Sequence, residues 1–445
     1  MADERKFVNL LFVFYLRLRG MYGILGAHFK GFMQKFKVVT LGCRTNQYES
    51  QAYVNQLRAM GYTEAQEGEV ADLCIVNTCT VTESADSHSR NAIRKLAKES
   101  SGKLVVTGCL AERLPEEMRK IEGVSHVVSN QKKEKLLSEV LEEDVPEFSI
   151  ENFSSHTRAF VKVQDGCNSF CTYCIIPYVR GRSRSRPFEE IIKEVTALVS
   201  NGYKEVVLTG INVGDYEGGC GLADLVRKVD AIPGIKRVRV SSIDPDEVDE
   251  NLSDAILHGK NTCHSMHIVL QSGSNVILKK MNRKYSRQVF LETVDRLKSQ
   301  SPFFTFTTDV IVGFPGESEL DFEDTLSIMR DVKFAKVHMF PYSDRQRTRA
   351  FLFPNKVENH IKQARKEKVL RLSEEMGFLL RQEYVGQIKE VLLESEERSH
   401  LGFLSGYTDN FLPVLVPKGD LSQNQLVQVE LIENTPHSLI GRLCG

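Results

Sequence analysis

Between residues 36 and 109 short apolar runs and amphipathic stretches alternate in a regular order. Residues 36–41 form a β-branched run ending in Gly42 and Cys43, residues 73–78 run into Cys79, and residues 104–107 end in Gly108 and Cys109. The segments between them, 49–60 and 87–98, carry their apolar positions at helical period. The pattern predicts βα units of a parallel sheet, because parallel neighbours need a crossover connection. Each strand delivers a cysteine at its carboxyl end, where ligands gather in open α/β sheets. Cys43, Cys79 and Cys109 are therefore expected to converge.

An acidic stretch, 139–147 with Pro146, reads as a linker. A second alternation follows, with strands expected at 159–163, 205–208, 237–241, 265–270, 304–312 and 337–340, and helices at 188–201, 222–229, 286–299 and 319–330. Six such units match a partial, open barrel, short of the eight that close a full one, and a doubly wound sheet fits the pattern as well. A basic helix is expected at 360–376, then five short strands at 386–394, 402–408, 413–416, 426–432 and 439–443, the pattern of a small antiparallel barrel. The fold class is α/β, divided as an extension (1–34), a parallel-sheet domain (35–147), a central barrel (153–382) and a terminal barrel (383–445).

Bulk composition narrows the class without naming a partner. A chain of 445 residues exceeds one ordinary core, and 41% apolar with 26% charged residues is the composition of a globular protein. A net charge of −1 means that a nucleic-acid partner has to be argued from local clusters. The early apolar run 8–16 is too short to span a bilayer, and Arg17 and Arg19 after it make a poor signal peptide. The expected location is the cytoplasm, with no membrane partner, and residues 1–32 read as an appendage or a misplaced start.

Ten cysteines are too few for a disulfide scaffold, yet Cys167, Cys171 and Cys174 crowd into one loop after a strand. Iron–sulfur clusters normally take four thiolates. Here the next cysteine, Cys220, lies far along the chain. Structural zinc, which wants a fourth ligand nearby, and simple packing of buried cysteines are the competing readings.

The Cys-x3-Cys-x2-Cys spacing resembles that of the radical S-adenosylmethionine (SAM) superfamily, whose fold is a partial barrel. The resemblance implies a [4Fe–4S] cluster on three thiolates, with the open iron chelating SAM. It also implies a cofactor pocket at Thr209, Gly210 and Asn212, and at Gln271, Ser272 and Asp309. Taken singly, glycines at such βα turns are more often only turn residues.

A narrower resemblance lies in Thr40-Leu41-Gly42-Cys43-Arg44-Thr45-Asn46, Asn77-Thr78-Cys79-Thr80-Val81 and Thr107-Gly108-Cys109-Leu110-Ala111. These blocks resemble those of the methylthiotransferases and imply a second [4Fe–4S] cluster on Cys43, Cys79 and Cys109, with an open iron for a sulfur species. Cys74 reads as core, and Cys220, Cys263 and Cys444 have no evident partner. Asp86-Ser87-His88 lacks the Asp-x-His-x-x-Gly pattern of a cobalamin loop, so that cofactor is set aside. Residues 387–445 resemble a TRAM domain, a small RNA-binding barrel, with Phe403, Tyr407 and Phe411 as candidate stacking platforms.

Basic clusters at Arg180, Arg182, Arg184 and Arg186, at 279–287, at Arg345, Arg347 and Arg349, and on the helix at Lys362, Arg365, Lys366, Lys368 and Arg371 are candidate phosphate contacts. The wording of the loops, including Leu208 to Tyr216, resembles the threonylcarbamoyladenosine branch of the family. Arg44 stands where lysine is common, and Arg347-Thr348-Arg349-Ala350 departs from the usual Gly-Thr-x-Ala. The resemblance implies methylthiolation at C2 of that nucleoside beside the tRNA anticodon, with SAM as radical source and methyl donor. The implied partners are the anticodon stem-loop, a one-electron donor such as a flavodoxin or ferredoxin, and a sulfur donor the sequence does not name. Rival readings are isopentenyladenosine in tRNA, a ribosomal-protein aspartate, or an RNA-binding iron–sulfur sensor without turnover.

Overall fold

The first strand, Lys35–Thr40, lies at the second position of a five-stranded sheet, paired in parallel with Thr63–Glu64 on one side and Ala71–Thr78 on the other. Ser100–Gly108 and His126–Val127 complete the sheet, also in parallel. The structure is a computed structural model that describes residues 34–153, 157–398 and 400–444. The appendage expected at 1–32 lies outside the described residues. The helices Arg44–Ala59 and Glu83–Glu99 supply the crossovers, as the periodicity requires. The acidic linker begins inside a further helix, Leu136–Leu141, because Leu136, Leu137 and Val140 are buried under the sheet.

Six parallel strands follow: Arg158–Lys162, Glu205–Thr209, Arg237–Val240, Ser265–His267, Thr305–Val312 and Lys336–Pro341. They pair in chain order as two three-stranded sheets, joined through the bridge between Ile243 and Ile268. This selects the partial barrel over the doubly wound sheet, whose strand order reverses at a switch point. Ala159 and Val161, and likewise Val238 and Val240, face a single outer core, so their alternate neighbours face the lumen. The helices Ile176–Val179, Glu250–Leu257 and Asn275–Lys280 escaped the pattern reading; Asp249 caps the second by accepting from Leu252 N at 2.7 Å.

The helix Asn359–Gln382 runs from the last barrel strand into a closed five-stranded barrel: Ile388–Glu396, Phe403–Thr408, Pro413–Pro417, Leu426–Asn434 and Leu439–Leu443. Four of its pairings are antiparallel, but the closure between Pro413–Pro417 and Leu439–Leu443 is parallel. The turn after Thr408 seats against the amino-terminal ends of the central strands. Arg237 donates to the carbonyls of Tyr407 and Glu390 at 2.8 Å each, Arg239 donates to Asp409 O at 2.9 Å, and Thr305 Oγ1 donates to Asn410 O. Tyr407 and Phe411 stack on each other at 4.6 Å, with the Arg158 guanidinium over both rings. Two of the three expected base-stacking platforms thus take part in docking the terminal barrel.

Replacing Phe411 by Ala strips this joint and is expected to cost about 2–3 kcal/mol, the lower range for truncating a large aromatic, because the ring is only half-buried. Urea unfolding followed by near-ultraviolet absorbance and by proteolysis near residue 382 should show the terminal barrel released first.

Candidate functional site

Three of the six candidate ligands stand directly after a glycine with positive φ: Gly42 (φ 101°), Gly108 (φ 90°) and Gly166 (φ 77°). A side chain on Gly108 would meet Asn77 Oδ1 and Thr78 O at 2.5 Å, one on Gly166 would meet Arg182 O at 2.0 Å, and one on Gly42 would meet Cys79 Cβ at 2.9 Å. Left-handed backbone and the absence of a Cβ let the chain turn sharply at each strand end and present the next cysteine.

Cys43 precedes the helix Arg44–Ala59, Cys79 follows the strand Ala71–Thr78, and Cys109 opens the short helix Cys109–Arg113. Asn46 joins the first two loops by donating to Leu41 O at 2.6 Å and Thr78 O at 3.1 Å. Thr78 Oγ1 accepts from Leu110 N at 3.1 Å and Ala111 N at 3.2 Å, which brings in the third. Cys43 is exposed, whereas Cys79 and Cys109 are 8% and 3% exposed. Burial pushes the Cys109 thiol up to about 11, with Cys43 and Cys79 adding to the rise and the Arg180 guanidinium opposing it.

The Cys167 loop is braced from outside. Thr172 N donates to Met281 O at 2.9 Å, Thr172 Oγ1 to Lys280 O at 2.8 Å, and Ala350 N to Thr172 O at 2.8 Å. Arg283 Nη1 donates to Cys171 Sγ at 2.9 Å while its other arm holds Asp244. Burial, then the neighbouring Cys171, push the Cys174 thiol far above its ordinary value. Cys109 packs against Ile175 and Val179, one and five residues beyond Cys174, so one member of the first triad lies against the segment that follows the second.

Among the described residues no three His, Cys, Asp or Glu side chains gather at a single ion-sized point. A cluster of several irons spreads its thiolates more widely than one ion does, and soft thiol donors next to a fixed guanidinium suit such a cluster. Thiols raised by burial hold their protons until a metal displaces them. The donor sets therefore fit iron–sulfur chemistry.

The six residues expected around SAM lie at the carboxyl ends of the strands, but their side chains differ in role. Thr209 Oγ1 is 3.4 Å from Ser241 Oγ, Asn212 Nδ2 donates to Glu247 Oε1 at 2.8 Å, and Asp309 faces His267 at 3.4 Å. Gln271 has φ 62° and a buried side-chain oxygen without a partner among the described residues; Ser272 is buried beside it. Burial, with Asp244 and Asp215 nearby, lifts the Glu247 carboxyl to about 7. Pattern reading missed Gln164. Its Oε1 accepts from Ile211 N and Asn212 N at 3.0 Å, and its Nε2 donates to Gly166 O at 2.8 Å. It clamps the 208–216 loop to the cysteine loop, and its only sequence signal was its position just before Asp165-Gly166-Cys167.

Several expected phosphate contacts have other partners. Arg180 is buried between Glu49 (3.0 Å) and Asp165 (2.7 Å), Arg186 pairs with Glu194 (2.7 Å), Arg345 with Asp86 (2.6 Å) and Arg365 with Glu317 (2.7 Å). Arg182, Arg184, Lys279, Lys280, Arg347 and Arg349 remain exposed around the cysteine loop. Cys74 is fully buried in the apolar core, as expected.

Comparison with known proteins adds the following. Residues 161–329 match the Radical SAM superfamily, residues 35–129 the Uncharacterized protein family UPF0004, and residues 382–444 the TRAM domain. A threonylcarbamoyladenosine tRNA methylthiotransferase of Chlamydia pneumoniae is 49% identical, over 92% of this chain and 98% of its own. The Bacillus subtilis protein of the same name is 36% identical, over 88% and 93%. A tRNA-2-methylthio-N(6)-dimethylallyladenosine synthase of Caldicellulosiruptor saccharolyticus is also 36% identical, over 92% of each chain. Among solved structures, a radical SAM methyltransferase of Kitasatospora setae aligns with a TM-score of 0.53 at 13% identity, covering 81% of each chain, a likeness of fold. No helix among the described residues is long and apolar enough to cross a membrane.

Glu49 reports on the joint between the triads. Burial alone would raise its pKa, but Arg180 and Lys133 outweigh burial and hold it well below the usual carboxylate range. A depressed folded pKa stabilises above the unfolded value of about 4.3 and loses that contribution as pH falls below it. Glu49→Gln should therefore cost about 3 kcal/mol at pH 7 and flatten the acid limb, measured as urea midpoint against pH on the apoprotein.

Proposed function

The chain belongs to the radical SAM methylthiotransferases that act on tRNA, and from that premise we propose that it methylthiolates C2 of N6-threonylcarbamoyladenosine beside the anticodon. The observation that supports this most is the pair of cysteine triads, each with a glycine-cysteine turn, with Cys109 of one packed on Ile175 and Val179 just after the other. In this reading Cys167, Cys171 and Cys174 hold the SAM-binding [4Fe–4S] cluster, and Cys43, Cys79 and Cys109 hold a second one. When bound, these groups supply the reductive cleavage of SAM and the sulfur for insertion, radical chemistry that no side chain provides. SAM serves as radical source and methyl donor.

The protein's own residues do the rest. Thr209, Gly210, Asn212, Gln271, Ser272 and Asp309 line the strand ends where SAM would lie, with Gln164 holding that loop against the cysteine loop. Arg283 donates to Cys171 Sγ and so fixes the sulfur's position in the loop. The exposed basic side chains around the loop suit the phosphates of an anticodon stem-loop, with the TRAM barrel as a further RNA contact. A flavodoxin or ferredoxin is the electron donor in this scheme. The units are the parallel-sheet domain at 35–147, the SAM barrel at 153–382 and the TRAM barrel at 383–445, and the cytoplasm is where tRNA is available.

Two variants separate the triads. Anaerobic reconstitution should load about eight irons per chain, and about four in either Cys79→Ala or Cys171→Ala. The Cys171 variant should lose reductive SAM cleavage and product together. The Cys79 variant should still release 5′-deoxyadenosine under strong reductant and form no methylthiolated RNA. Product from a folded Cys79 variant carrying four irons would overturn the second cluster's role.

A further inference from the structure

Arg44 follows Cys43 directly and reaches into the central barrel, where Nη1 donates to Ser241 Oγ at 3.2 Å and the guanidinium lies 5.6 Å from the Phe160 ring centre. It has no carboxylate within ion-pair distance among the described residues. The arginines around it differ: Arg239 holds Glu205 at 2.8 Å, Arg158 holds Glu394, and Arg180 holds Glu49 and Asp165. The nearest acidic groups, Glu205 and Asp309, are engaged by Arg239 and by His267. A half-buried guanidinium with one hydroxyl partner among the described residues leaves most of its five donors open to an incoming anion.

We propose that Arg44 is a specificity-determining residue whose guanidinium receives the carboxylate on the N6 substituent of the target adenosine, an inference that rests on the substrate reading above. The two nucleosides named by the relatives differ at this point in chemistry. A threonylcarbamoyl group ends in a free carboxylate, whereas a dimethylallyl group is hydrocarbon. The planar guanidinium fork matches a carboxylate with two parallel hydrogen bonds and has no such match to an alkene. Position agrees with chemistry. C2 and the N6-bearing carbon of adenine flank N1 on one edge of the ring, so a base that sets C2 at Cys43 carries its N6 substituent within a side chain's reach of residue 44. Ser241, at the end of the strand Arg237–Val240, holds the guanidinium on the barrel side of that gap.

The test is a cycle between protein and substrate. Anticodon stem-loops are prepared with threonylcarbamoyladenosine, with the same nucleoside carrying its threonine carboxylate as a primary amide, and with isopentenyladenosine. Binding is read by fluorescence anisotropy, which needs no turnover, and product by mass spectrometry, for the wild type, Arg44→Met and Arg44→Lys. The wild type should prefer acid over amide by roughly tenfold or more, the scale of one charge-assisted pair. Arg44→Met should lose that preference by weakening on the acid alone, and Arg44→Lys should keep part of it. Iron content and release of 5′-deoxyadenosine confirm that each variant is intact. A purely structural Arg44 would move acid and amide equally in Arg44→Met, and that result overturns the proposal. So does a wild type that treats acid and amide alike, a result that needs no variant to fold. If the wild type modifies only the isopentenyl stem-loop, the substrate reading itself fails, which is distinguishable from failure of the Arg44 assignment alone.

Discussion

The buried guanidinium of Arg180 is the interaction on which the relation between the two cysteine triads depends. It sits in the turn after the second triad and reaches Asn46 and Glu49 on the helix that begins at Cys43, and Asp165 two residues before Cys167. Lys133 spans the same two carboxylates from the other side, with Glu49 at 2.6 Å. Taking four such charges out of water is expensive, and hydrophobic residues of similar volume would often stabilise as well. What a paired network adds is direction: each guanidinium arm has one geometry that satisfies it. The proposed chemistry asks for two separately built centres held at a set separation, which a greasy interface specifies less sharply.

A second polar layer governs the opposite end of the barrel. Arg158, Glu205, Arg237 and Arg239 stand at the starts of their strands and face inward, where an ordinary barrel would carry branched apolar residues. Their extra donors are met by carbonyls of the terminal barrel, at Tyr407, Thr408, Asp409 and Glu390. The terminal barrel therefore also completes the central core from below, leaving the carboxyl ends of the strands as the open face. Arg44, held by Ser241, has neither a carboxylate nor a carbonyl partner among the described residues.

Much of the architecture was legible in local pattern. Strand-terminal Gly-Cys pairs at 42–43, 108–109 and 166–167 carry their own geometric reason, since the positive φ of the glycine makes the turn that places the next cysteine. The six barrel strands and five terminal strands followed from apolar runs bounded by turns, because each strand's burial is encoded in its own residues. The helix Glu250–Leu257 was missed because it is short and interrupted by polar Ser253 and Asp254.

Charge was where sequence reading ran out. Alternating arginines at 180–186 look alike along the chain, yet Arg180 and Arg186 turn inward to Glu49 and Glu194 while Arg182 and Arg184 stay exposed. The partners lie 131 and 8 residues away, and no local rule distinguishes a solvated cation from one half of a buried pair. Tyr407 and Phe411 were similarly ambiguous until the docked turn gave both rings to Arg158. The sequence by itself determined which strand ends present the cysteines, because spacing and backbone freedom are local properties. Tertiary structure alone decided which charges are neutralised, since the energy of a buried charge depends on what long-range folding brings beside it.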